Sequence, residues 1–490
     1  MKRAKKRIAV IGGGITGLVT AYRIRQQIIE EQLPFELVLI ESALKLGGKI
    51  YTIKVGDNYF DLGAESIDIR YPEAIDLIKE LGLLDQLIYS EGNKPDIFFY
   101  NKLHSLDYPT YKGIPVRKMD IWKNNLLTFH GKIASFKDNL FPVKPLEKDI
   151  EMSRYLKKRF GEEMVEHIVE PFFSKIYASD LDEMGIKSSK EVIYSLEQKY
   201  GSLSKGIKHH PELLDGPGNY VTFQKGLSVL TDKLTEILKP HIQTSKKVFD
   251  IKQGTEGTYI IDLNRKEQVR VGAICIATPV TEYSKLIKNE TFGQIFDQVE
   301  TASIGYILFK FKKEAIKNEP KGFGVVTPRR SDSFVTSIVL LNKKWSFLRD
   351  EEDVFIGVSF GRKGEDLLVS LSNKEIEESI LKDLKTILGI TEKPINRIVK
   401  RWPDAIPQYT VIQEEKIKEM IELLKNEYPG VYISGIGLEG FGVNQCIGQA
   451  NKTSKKIVDH IKNKIVFIIN EIAYKKIKRL FLTLKRFFLF

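Results

Sequence analysis

A run of glycines near the start of the chain has the spacing of a phosphate-binding turn. Gly12, Gly14 and Gly17 form a G-x-G-x-x-G pattern between the apolar residues 8–11 and an amphipathic helix. In such a turn the first glycine permits the tight bend, the second lets the backbone approach a pyrophosphate, and the third lets the helix pack on the strand. The helix also offers free N–H groups and a partial positive charge to phosphates.

An acid follows the next predicted strand at the distance expected for a ribose-binding residue. Residues 35–40 are apolar and lead to Glu41, whose carboxylate can accept hydrogen bonds from both hydroxyls of a ribose. Strand, glycine turn, helix, strand and acid in this order predict a Rossmann-like unit that binds an adenine dinucleotide. The contacts predicted in this unit are Gly12, Gly13, Gly14, Ile15, Thr16, Gly17, Glu41 and Ser42.

The residues after Glu41 favour FAD over NAD. Residues 45–52 read K-L-G-G-K-I-Y-T, which resembles the second FAD signature of the amine-oxidase-like flavoproteins. The glycine pair allows close approach to the cofactor, and Lys49 can neutralise a phosphate. Residues 61–66 are similar to the segment of that superfamily that runs beside the flavin. This resemblance implies cofactor contacts from Gly63, Ala64, Glu65 and Ser66.

Length and composition describe a globular chain of several domains. Its 490 residues are 42% hydrophobic and 29% charged, and about three domains are expected at this size. Two cysteines, Cys275 and Cys446, cannot build a disulfide framework or a zinc cluster, which fits a reducing cytoplasm. No metal site is predicted, because metal-ligand spacing with a third donor is lacking at His104, His167, His209 and His210.

The net charge of +12 is concentrated at the two ends of the chain. Residues 1–7 carry five basic side chains and no acid, and residues 461–490 carry a net charge of +7, so residues 8–460 are neutral. A nucleic-acid-binding protein needs a basic face on its folded domain, so no nucleic-acid partner is expected. No uncharged apolar run approaches the ~20 residues of a spanning helix, so an integral membrane protein is not expected.

The basic tail has the pattern of a helix that lies in a membrane interface. On a helical projection of residues 473–488, most Lys and Arg side chains fall on one side and most Ile, Leu and Phe side chains on the other. Such a helix binds an anionic lipid surface, which predicts a cytoplasmic protein held peripherally on the inner face of the cell membrane. A tail helix packed on its own domain, or a disordered basic end, is the alternative.

The expected fold class is α/β, with a Rossmann-like FAD-binding domain, a mixed-sheet substrate domain and a helical domain. The FAD-binding domain is predicted to be discontinuous and to consist of residues 1–70, 220–285 and 395–460. The rest is divided into a mainly helical domain at 71–219, the substrate-domain sheet and helix at 286–394, and the basic amphipathic tail at 461–490.

Apolar periodicity predicts the main elements of these domains. Helices are expected at residues 71–81, 146–160, 163–173, 228–238 and 374–388. Strands are expected at residues 304–311, 334–341 and 355–360, with a buried strand that ends at Pro279 in the FAD-binding domain.

Four further segments resemble one family, the protoporphyrinogen and coproporphyrinogen oxidases. The similar segments are E-P-F-F-S-K-I-Y-A-S-D at 170–180, Y-V-T-F-Q-K-G-L at 220–227, R-W-P-D-A-I-P-Q-Y at 401–409 and G-F-G-V-N-Q-C-I at 440–447. They occur in the family's order, and the resemblance runs from residue 7 to about 460. The greatest similarity is to the soluble-type enzymes of Gram-positive bacteria, which are coproporphyrinogen III oxidases.

The resemblance implies an FAD-dependent oxidase of haem biosynthesis that converts coproporphyrinogen III to coproporphyrin III. Six electrons leave the porphyrinogen in three rounds through one flavin, with dioxygen as the acceptor and hydrogen peroxide as the product. The cofactor does this redox chemistry, and the sequence offers no convincing acid–base constellation, so no catalytic residue is predicted. The resemblance also implies FAD contacts from Lys49, Ser66, Val248, Trp402, Phe441, Gly442 and Val443.

Three residues are candidates for substrate contacts. A porphyrinogen needs a flat apolar slot with cations for its propionates. Arg70 follows the flavin segment and is the first candidate for a propionate, with a solvated surface arginine as the alternative. Phe323 resembles a family aromatic that packs on a pyrrole ring, and Lys175 is the third candidate. Lys175 and Ser179 replace family glycines, and Ile436 stands where many flavoproteins carry an acid.

Other functions remain open from the sequence. Protoporphyrinogen IX differs from coproporphyrinogen III only in carrying two vinyl groups in place of two propionates, and the basic Lys175 favours the substrate with four carboxylates. Amine oxidases and carotenoid desaturases share the FAD signatures but lack the segments at 170–180 and 402–409. A non-catalytic flavin- or porphyrin-binding paralogue is a further alternative. The oligomeric state is not predicted.

Overall fold

A computed structural model describes residues 6–139, 144–264, 267–296, 298–440 and 442–487 of the protein. The backbone of the tail is included as far as residue 487, but its side chains at 465–473 and 475–487 are outside the description. In the described part of the chain, no helix combines the length and the apolar character needed to cross a bilayer.

A parallel five-stranded sheet forms the centre of the nucleotide-binding region. Every strand pair in it is parallel, and apolar side chains bury almost all of it, as expected for a sheet with covered faces. This confirms the Rossmann-like unit. In spatial order its strands are Ile242–Gln243, Phe35–Ile40, Lys6–Ile11, Ala273–Ile276 and Val431–Ile433.

A mixed seven-stranded sheet is the second large sheet of the fold. Its strands pair antiparallel except for Gly324–Val326, which runs parallel to Asp96–Phe99. One face packs on the helix Asn373–Leu388, and the other faces the nucleotide-binding region. In spatial order the strands are Asn396–Pro407, Thr301–Lys312, Asp353–Phe360, Val335–Leu340, Gly324–Val326, Asp96–Phe99 and Lys102–His104.

Smaller sheets join these layers. A hairpin at Thr52–Val55 and Asn58–Asp61 follows the nucleotide-binding unit, and another links Thr110–Tyr111 to Ile114–Pro115. The remaining strands form two three-stranded antiparallel sheets, one of Ile67–Asp68, Tyr220–Phe223 and Leu87–Tyr89, the other of Val248–Gln253, Tyr259–Leu263 and Glu267–Val271.

Helices cover both sheets and build the helical region. A π-helical turn, Val165–Val169, interrupts the helix that was predicted as continuous over 163–173. The α-helices are Ile15–Glu30, Pro72–Glu80, Phe129–Ala134, Met152–Phe160, Glu162–Met164, Glu170–Tyr177, Val192–Tyr200, Leu203–Lys208, Ser228–Leu238, Tyr283–Leu286, Glu290–Phe296, Leu341–Lys344, Asp366–Ser370, Asn373–Leu388, Gln413–Glu427 and Val443–Phe487.

Two strand placements differ from the sequence predictions. The strands Asp96–Phe99 and Lys102–His104 lie inside the segment predicted as mainly helical, yet they extend the seven-stranded sheet. Strand Asn396–Pro407, predicted within the FAD-binding segment, pairs with Thr301–Lys312 in the same sheet. The local sequence of a strand does not reveal which sheet the strand joins, because that depends on pairing with distant parts of the chain.

Candidate active site

The glycine turn brings strand Lys6–Ile11, helix Ile15–Glu30 and the end of strand Ala273–Ile276 into close contact. Gly12 has a φ of +108°, and a β-carbon there would lie 2.6 Å from the carbonyl oxygen of Ala277. A β-carbon at Gly17 would lie 1.9 Å from the carbonyl oxygen of Gly12. Both positions therefore require glycine for the fold itself, as the G-x-G-x-x-G pattern predicts.

Gly14 is different, because the space beside it is open. A β-carbon at Gly14 would meet only the α-carbon of Gly48, at 3.9 Å, and the φ of −72° is ordinary. Gly14 is the N-cap of helix Ile15–Glu30 and supplies no side-chain hydrogen bond to its first turn. The open space and the unsatisfied N–H groups at this helix end fit a bound pyrophosphate.

Glu41 lies at the carboxyl edge of the five-stranded sheet, next to this turn. One carboxylate oxygen accepts the N–H of Gly13 at 2.6 Å, and the other accepts the N–H of Ala43 at 2.7 Å and the hydroxyl of Ser42 at 3.1 Å. These bonds fix the carboxylate beside the predicted phosphate site, where a ribose follows the pyrophosphate in a dinucleotide. The structure therefore places Glu41 and Ser42 together with the glycine turn.

Replacement of Glu41 by alanine is expected to weaken FAD binding by about 30-fold. The variant loses a charged acceptor worth roughly 2 kcal/mol and releases the Gly13 N–H that the carboxylate holds. The FAD dissociation constant, measured by titrating the apoprotein, checks this. Glu36→Ala is the matched control, because Glu36 is on the strand that leads to Glu41 and pairs with Arg7 on the surface. Equal FAD affinity in both variants would contradict the ribose assignment.

Residues far from the glycine turn in sequence lie on the other side of the predicted FAD site. The glycine turn, Glu41 and these residues are together named the cradle. The thiol of buried Cys446, in the first turn of helix Val443–Phe487, approaches both Thr16 and Lys49. Burial lowers the pKa of the Lys49 ammonium, and Lys49 has no carboxylate partner among the described residues. A half-buried lysine without a counter-ion suits a phosphate. Val443 packs in the same core cluster as Ile15.

Other predicted FAD contacts lie at different distances from the turn. Val248 is buried in the core cluster that includes Ile11 and Ile40, behind the carboxyl edge of the sheet. Gly442 precedes the long helix with a φ of +104°. Phe441 lies outside the described residues. Direct contact of these residues with FAD stays a prediction.

Asp61 ties the flavin segment to the helix Ser228–Leu238. Its carboxylate accepts the Thr52 hydroxyl at 2.5 Å and the backbone N–H of Leu227 at 3.1 Å, at the start of that helix. Burial raises the pKa of Asp61 to about 7, although these hydrogen bonds oppose the rise. The acid therefore holds together two segments that the sequence analysis assigned to one domain.

This raised pKa predicts a pH-dependent stability that Asp61→Asn removes. Between about pH 4 and pH 7 the folded protein retains a proton that the unfolded chain releases, so stability falls as the pH rises through this window. The effect is about 1.4 kcal/mol per pKa unit. The drop in melting temperature between pH 5 and pH 8 is expected to be smaller in Asp61→Asn than in the wild type. An unchanged drop would contradict the assignment.

The predicted flavin segment lies against Trp402. The indole N–H of Trp402 donates to the carbonyl of Leu62 at 2.9 Å, and a β-carbon at Gly63 would lie 3.3 Å from the indole ring. Lys400 places its ammonium 4.5 Å from the ring centres of both Tyr51 and Trp402. The structure thus brings together the predicted contacts Gly63, Ala64 and Trp402 and adds a cation beside them.

Lys344 anchors the end of the flavin segment. Its ammonium donates to the carboxylate of Glu65 at 2.6 Å and to the hydroxyl of Ser66 at 3.3 Å, and its side chain is only 2% exposed. The same ammonium lies 5.3 Å from the ring centre of Phe323 and 5.1 Å from that of Tyr220. Lys344 was not predicted, since two adjacent lysines at 343 and 344 look like a solvated surface turn in the sequence.

Two predicted substrate residues, Lys175 and Phe323, lie together beside the ion pair of Lys344 and Glu65. The Lys175 ammonium is 6.0 Å from the centre of the buried Phe323 ring and makes no hydrogen bond or ion pair with another described residue. Burial lowers the pKa of Lys175 to about 8, with Glu65 opposing and Lys344 reinforcing the shift. Two ammonium groups therefore share the single carboxylate of Glu65, which leaves one positive charge without a partner.

The charge on Glu65 follows from the same arrangement. Burial alone raises the pKa of its carboxyl, but the ammonium groups of Lys344 and Lys175 outweigh burial and hold the pKa below its usual value. Glu65 is thus ionised and bound to Lys344, and Lys175 has no carboxylate within bonding distance. The cluster of Lys175, Lys344, Glu65 and Phe323 therefore carries a net positive charge beside an aromatic ring, a combination that suits a flat anion.

The propionate role predicted for Arg70 is not supported by its geometry. Its guanidinium donates to the carboxylates of Asp68 and Asp215, the carbonyl of Leu213 and the hydroxyl of Tyr220. The side chain is only 5% exposed, so it is not a solvated surface arginine either. Because these protein groups occupy all the donors of the fork, Arg70 holds the segment at 67–70 against the one at 213–220.

Comparison with known proteins agrees with these features. A profile of the family described as flavin containing amine oxidoreductase matches residues 15–458. The coproporphyrinogen III oxidase of Bacillus subtilis (strain 168) is 29% identical over 457 residues, which cover 92% of this chain and 97% of that protein. The protein of the same name from Staphylococcus aureus (strain NCTC 8325 / PS 47) is 26% identical over 466 residues, covering 92% and 99%.

The fold also matches a solved structure over nearly its whole length. A crystal structure of an Exiguobacterium sp. 255-15 protein, described provisionally as a protoporphyrinogen oxidase, is similar with a TM-score of 0.82 and 26% identity. The match covers 94% of this chain and 99% of that one. The reduced UDP-galactopyranose mutase shares the fold at 15% identity, with a TM-score of 0.68.

Proposed function

This chain belongs to the family of flavin-containing amine oxidoreductases, and we propose that it oxidises a porphyrinogen in haem biosynthesis, with coproporphyrinogen III as the substrate. Membership in this family confirms the predictions of an oxidoreductase and of FAD. The observation that carries the proposal is the cluster of Phe323, Lys175 and Lys344 at the end of the flavin segment.

The residues of the cradle fit FAD, and they have separable tasks. Gly14 leaves room for the pyrophosphate, Glu41 offers an acceptor to the ribose, and Lys49 offers a cation without a counter-ion. When bound, FAD would supply the redox chemistry, which is two-electron oxidation of the macrocycle with dioxygen as the final acceptor and hydrogen peroxide as the product. Trp402, held by the carbonyl of Leu62, keeps the flavin segment in place.

The residues of the Lys175–Phe323 cluster bind and orient the substrate. The buried ring of Phe323 gives a flat apolar wall, and the ammonium of Lys175 faces it and takes a propionate. Glu65 neutralises Lys344 and so leaves the charge of Lys175 for the substrate. No acid–base residue is assigned, because the residues of this cluster act by binding, orientation and exclusion of water.

Two alternatives rest on specific observations. Protoporphyrinogen IX is supported by the description of the Exiguobacterium protein, and it still offers two propionates to Lys175. A non-catalytic flavin- or porphyrin-binding paralogue is supported by Lys175 and Ser179, which stand where the resemblance to the porphyrinogen oxidases implies glycines.

An aerobic assay with coproporphyrinogen III tests the proposal. Growth of the porphyrin Soret band with three equivalents of hydrogen peroxide for each porphyrin is expected, since six electrons leave the macrocycle in pairs. Bound yellow flavin with no Soret growth would support the paralogue instead. Peroxide release with a monoamine or polyamine, and none with porphyrinogens, would support an amine oxidase.

The tail is proposed to hold the enzyme on an anionic membrane surface. Helix Val443–Phe487 includes the tail as far as Phe487, and the side chains at 465–473 and 475–487, which would form its two faces, lie outside the described part of the chain. The helix is bound to the body up to Lys464, because Lys462 pairs with Glu31 at 2.6 Å and Lys464 donates to the carbonyl of Gly257 at 2.5 Å.

Deletion of residues 465–490 is therefore expected to leave activity intact while reducing sedimentation with anionic vesicles. The deletion keeps both anchors, Lys462 and Lys464, so the folded body is preserved. Co-sedimentation at low salt and the melting temperature are measured for the full-length and shortened proteins. A large loss of melting temperature would show that the tail is a structural helix, and equal sedimentation would show that the tail does not bind lipid.

A further inference from the structure

Arg362 is a buried arginine whose guanidinium lacks a carboxylate partner among the described residues. It follows strand Asp353–Phe360 and is only 2% exposed. One terminal nitrogen, Nη2, donates to the carbonyl and to the hydroxyl of Thr327, both at 3.1 Å. The buried Nε makes no hydrogen bond within the described part of the chain. Most of the donors of this fork are therefore left for another acceptor.

Two other arginines with buried side chains show what is missing at Arg362. The side chain of Arg70 is 5% exposed and is held by two carboxylates, and that of Arg159 is 6% exposed and pairs with Glu197. Removing a guanidinium from water is costly unless an anion or a full set of acceptors replaces the water. The surroundings of Arg362 are therefore those of a site that an anion completes.

Glu170 is the acid whose charge acts most strongly on Arg362, but it is not an ion-pair partner. One of its carboxylate oxygens accepts the backbone N–H of Arg329 at 3.0 Å, and the other is buried with no hydrogen-bond partner in the described ranges. Burial raises the pKa of the Glu170 carboxyl, although Arg362 opposes the rise. Arg329 is itself paired with Asp180 at 3.2 Å, so the uncommitted guanidinium of this group is that of Arg362.

One helix connects Arg362 with the Lys175–Phe323 cluster. Helix Glu170–Tyr177 begins with the residue that faces Arg362 and carries Lys175 five residues later. Five residues of an α-helix rise about 7.5 Å. The cation of Arg362 and that of Lys175 are thus placed near successive turns of the same helix.

One strand makes the same connection on the sheet. Phe323 precedes strand Gly324–Val326 and Thr327 follows it, so the aromatic ring and the group that holds Arg362 are four extended residues apart, about 13 Å. The helix packs on this strand. A separation of about 8 to 13 Å is comparable with the width of a tetrapyrrole, so one macrocycle can reach both cations.

We propose that Arg362 binds a propionate at the end of the macrocycle opposite to Lys175 and thereby sets the preference for coproporphyrinogen III. This role of Arg362 rests on the proposed function. Coproporphyrinogen III has a propionate on every pyrrole ring, whereas protoporphyrinogen IX has propionates on two adjacent rings and vinyl groups on the others. When the propionates that both substrates share face Lys175, only coproporphyrinogen III offers a carboxylate to Arg362. A vinyl group would leave the guanidinium unpaired.

Binding of the two oxidised porphyrins tests this role without turnover. The FAD-loaded protein is titrated with coproporphyrin III and with protoporphyrin IX, and quenching of the protein fluorescence gives each Kd. Arg362→Met is expected to weaken coproporphyrin III binding about 10-fold or more and protoporphyrin IX binding less than about 2-fold. KM for coproporphyrinogen III is expected to rise by a similar factor with kcat unchanged. Arg362→Lys is expected to recover part of the loss.

A matched control and the melting temperature separate this role from a structural one. Arg330→Met removes an exposed arginine near Thr327 that pairs with Glu166, and it is expected to bind both porphyrins like the wild type. Because Arg362 is buried without a carboxylate, porphyrin-free Arg362→Met is expected to melt no lower than the wild type. Coproporphyrin III is expected to raise the melting temperature of the wild type more than that of the variant.

The outcomes that overturn this role are distinct from those that overturn the proposed function. Equal weakening of both porphyrins in Arg362→Met, unchanged binding of coproporphyrin III, or a lower melting temperature of the porphyrin-free variant would show that Arg362 does not select the substrate. A wild-type protein that neither binds nor oxidises either tetrapyrrole would contradict the proposed function, and the role of Arg362 with it.

Discussion

Gly14→Val is expected to give a folded protein that purifies without FAD. The space beside Gly14 is open, with only the α-carbon of Gly48 at 3.9 Å, and the backbone conformation is one that valine adopts readily. The fold therefore tolerates the new side chain, but its methyl groups fill the place of the pyrophosphate. Because the whole dinucleotide depends on this approach, the expected loss of FAD is complete. The ratio of flavin to protein absorbance measures it.

Two further glycine variants separate loss of the cofactor from loss of the fold. Gly216→Val, at a glycine with no neighbour within 4 Å, is expected to retain full FAD. Gly17→Val is expected not to fold, because its β-carbon would lie 1.9 Å from the carbonyl oxygen of Gly12. Full FAD occupancy in Gly14→Val would show that the G-x-G-x-x-G turn is not the pyrophosphate site.

Lys175→Met is expected to lower kcat/KM for coproporphyrinogen III by about 10- to 100-fold, mainly by raising KM. The reason is the loss of a charge-assisted contact to a propionate, worth roughly 1.5–3 kcal/mol. Lys175→Arg is expected to restore most of the lost affinity. Lys321→Met is the matched control, since Lys321 is exposed close to Phe323 in sequence but pairs with Asp107.

The pH dependence of the same parameter gives an independent check. With a pKa of about 8, the Lys175 ammonium loses its charge as the pH rises from 7 to 9, so kcat/KM of the wild type is expected to fall over this range. Lys175→Arg keeps its charge and is expected to show a flatter profile. A loss in Lys175→Met that appears only in kcat, or identical pH profiles, would contradict the propionate role.

The nucleotide-binding unit could be predicted because its chemistry is local. The turn, the helix Ile15–Glu30 and Glu41 lie within about 30 consecutive residues, and each follows from a short pattern. The helix Ser228–Leu238 was also predicted with the bounds that the structure shows. The strands predicted at 304–311, 334–341 and 355–360 and the helix predicted at 374–388 lie within a few residues of the observed bounds, whereas strand Gly324–Val326 was not predicted.

Local side-chain bonds set boundaries that periodicity missed. The helix predicted at 146–160 begins only at Met152. Asp149 instead accepts the backbone N–H groups of Lys187 and Ser188, both at 2.8 Å, and so holds the preceding residues in a loop. A polar side chain that binds distant backbone gives the chain an alternative to helix, and the sequence does not show where its partner lies.

The charged core of the site depends on contacts between distant parts of the chain. Arg70 meets Asp215 and Leu213, and Lys344 meets Glu65, across separations of more than 140 residues. Nothing in the neighbouring residues distinguishes these side chains from surface ones. The buried partners of Arg70 therefore argue against the propionate role that the sequence suggested. The contact between Lys344 and Glu65 could be found only in the structure.

The ratio of kcat/KM for coproporphyrinogen III to that for protoporphyrinogen IX tests the central claim most directly. Purified, FAD-loaded protein is given each porphyrinogen in air, and porphyrin formation is followed by absorbance. A clear preference for coproporphyrinogen III is predicted, because the unpartnered charge of Lys175 beside Phe323 suits the substrate with more carboxylates. Preference for protoporphyrinogen IX would contradict the substrate assignment, and oxidation of neither by FAD-loaded protein would contradict the function.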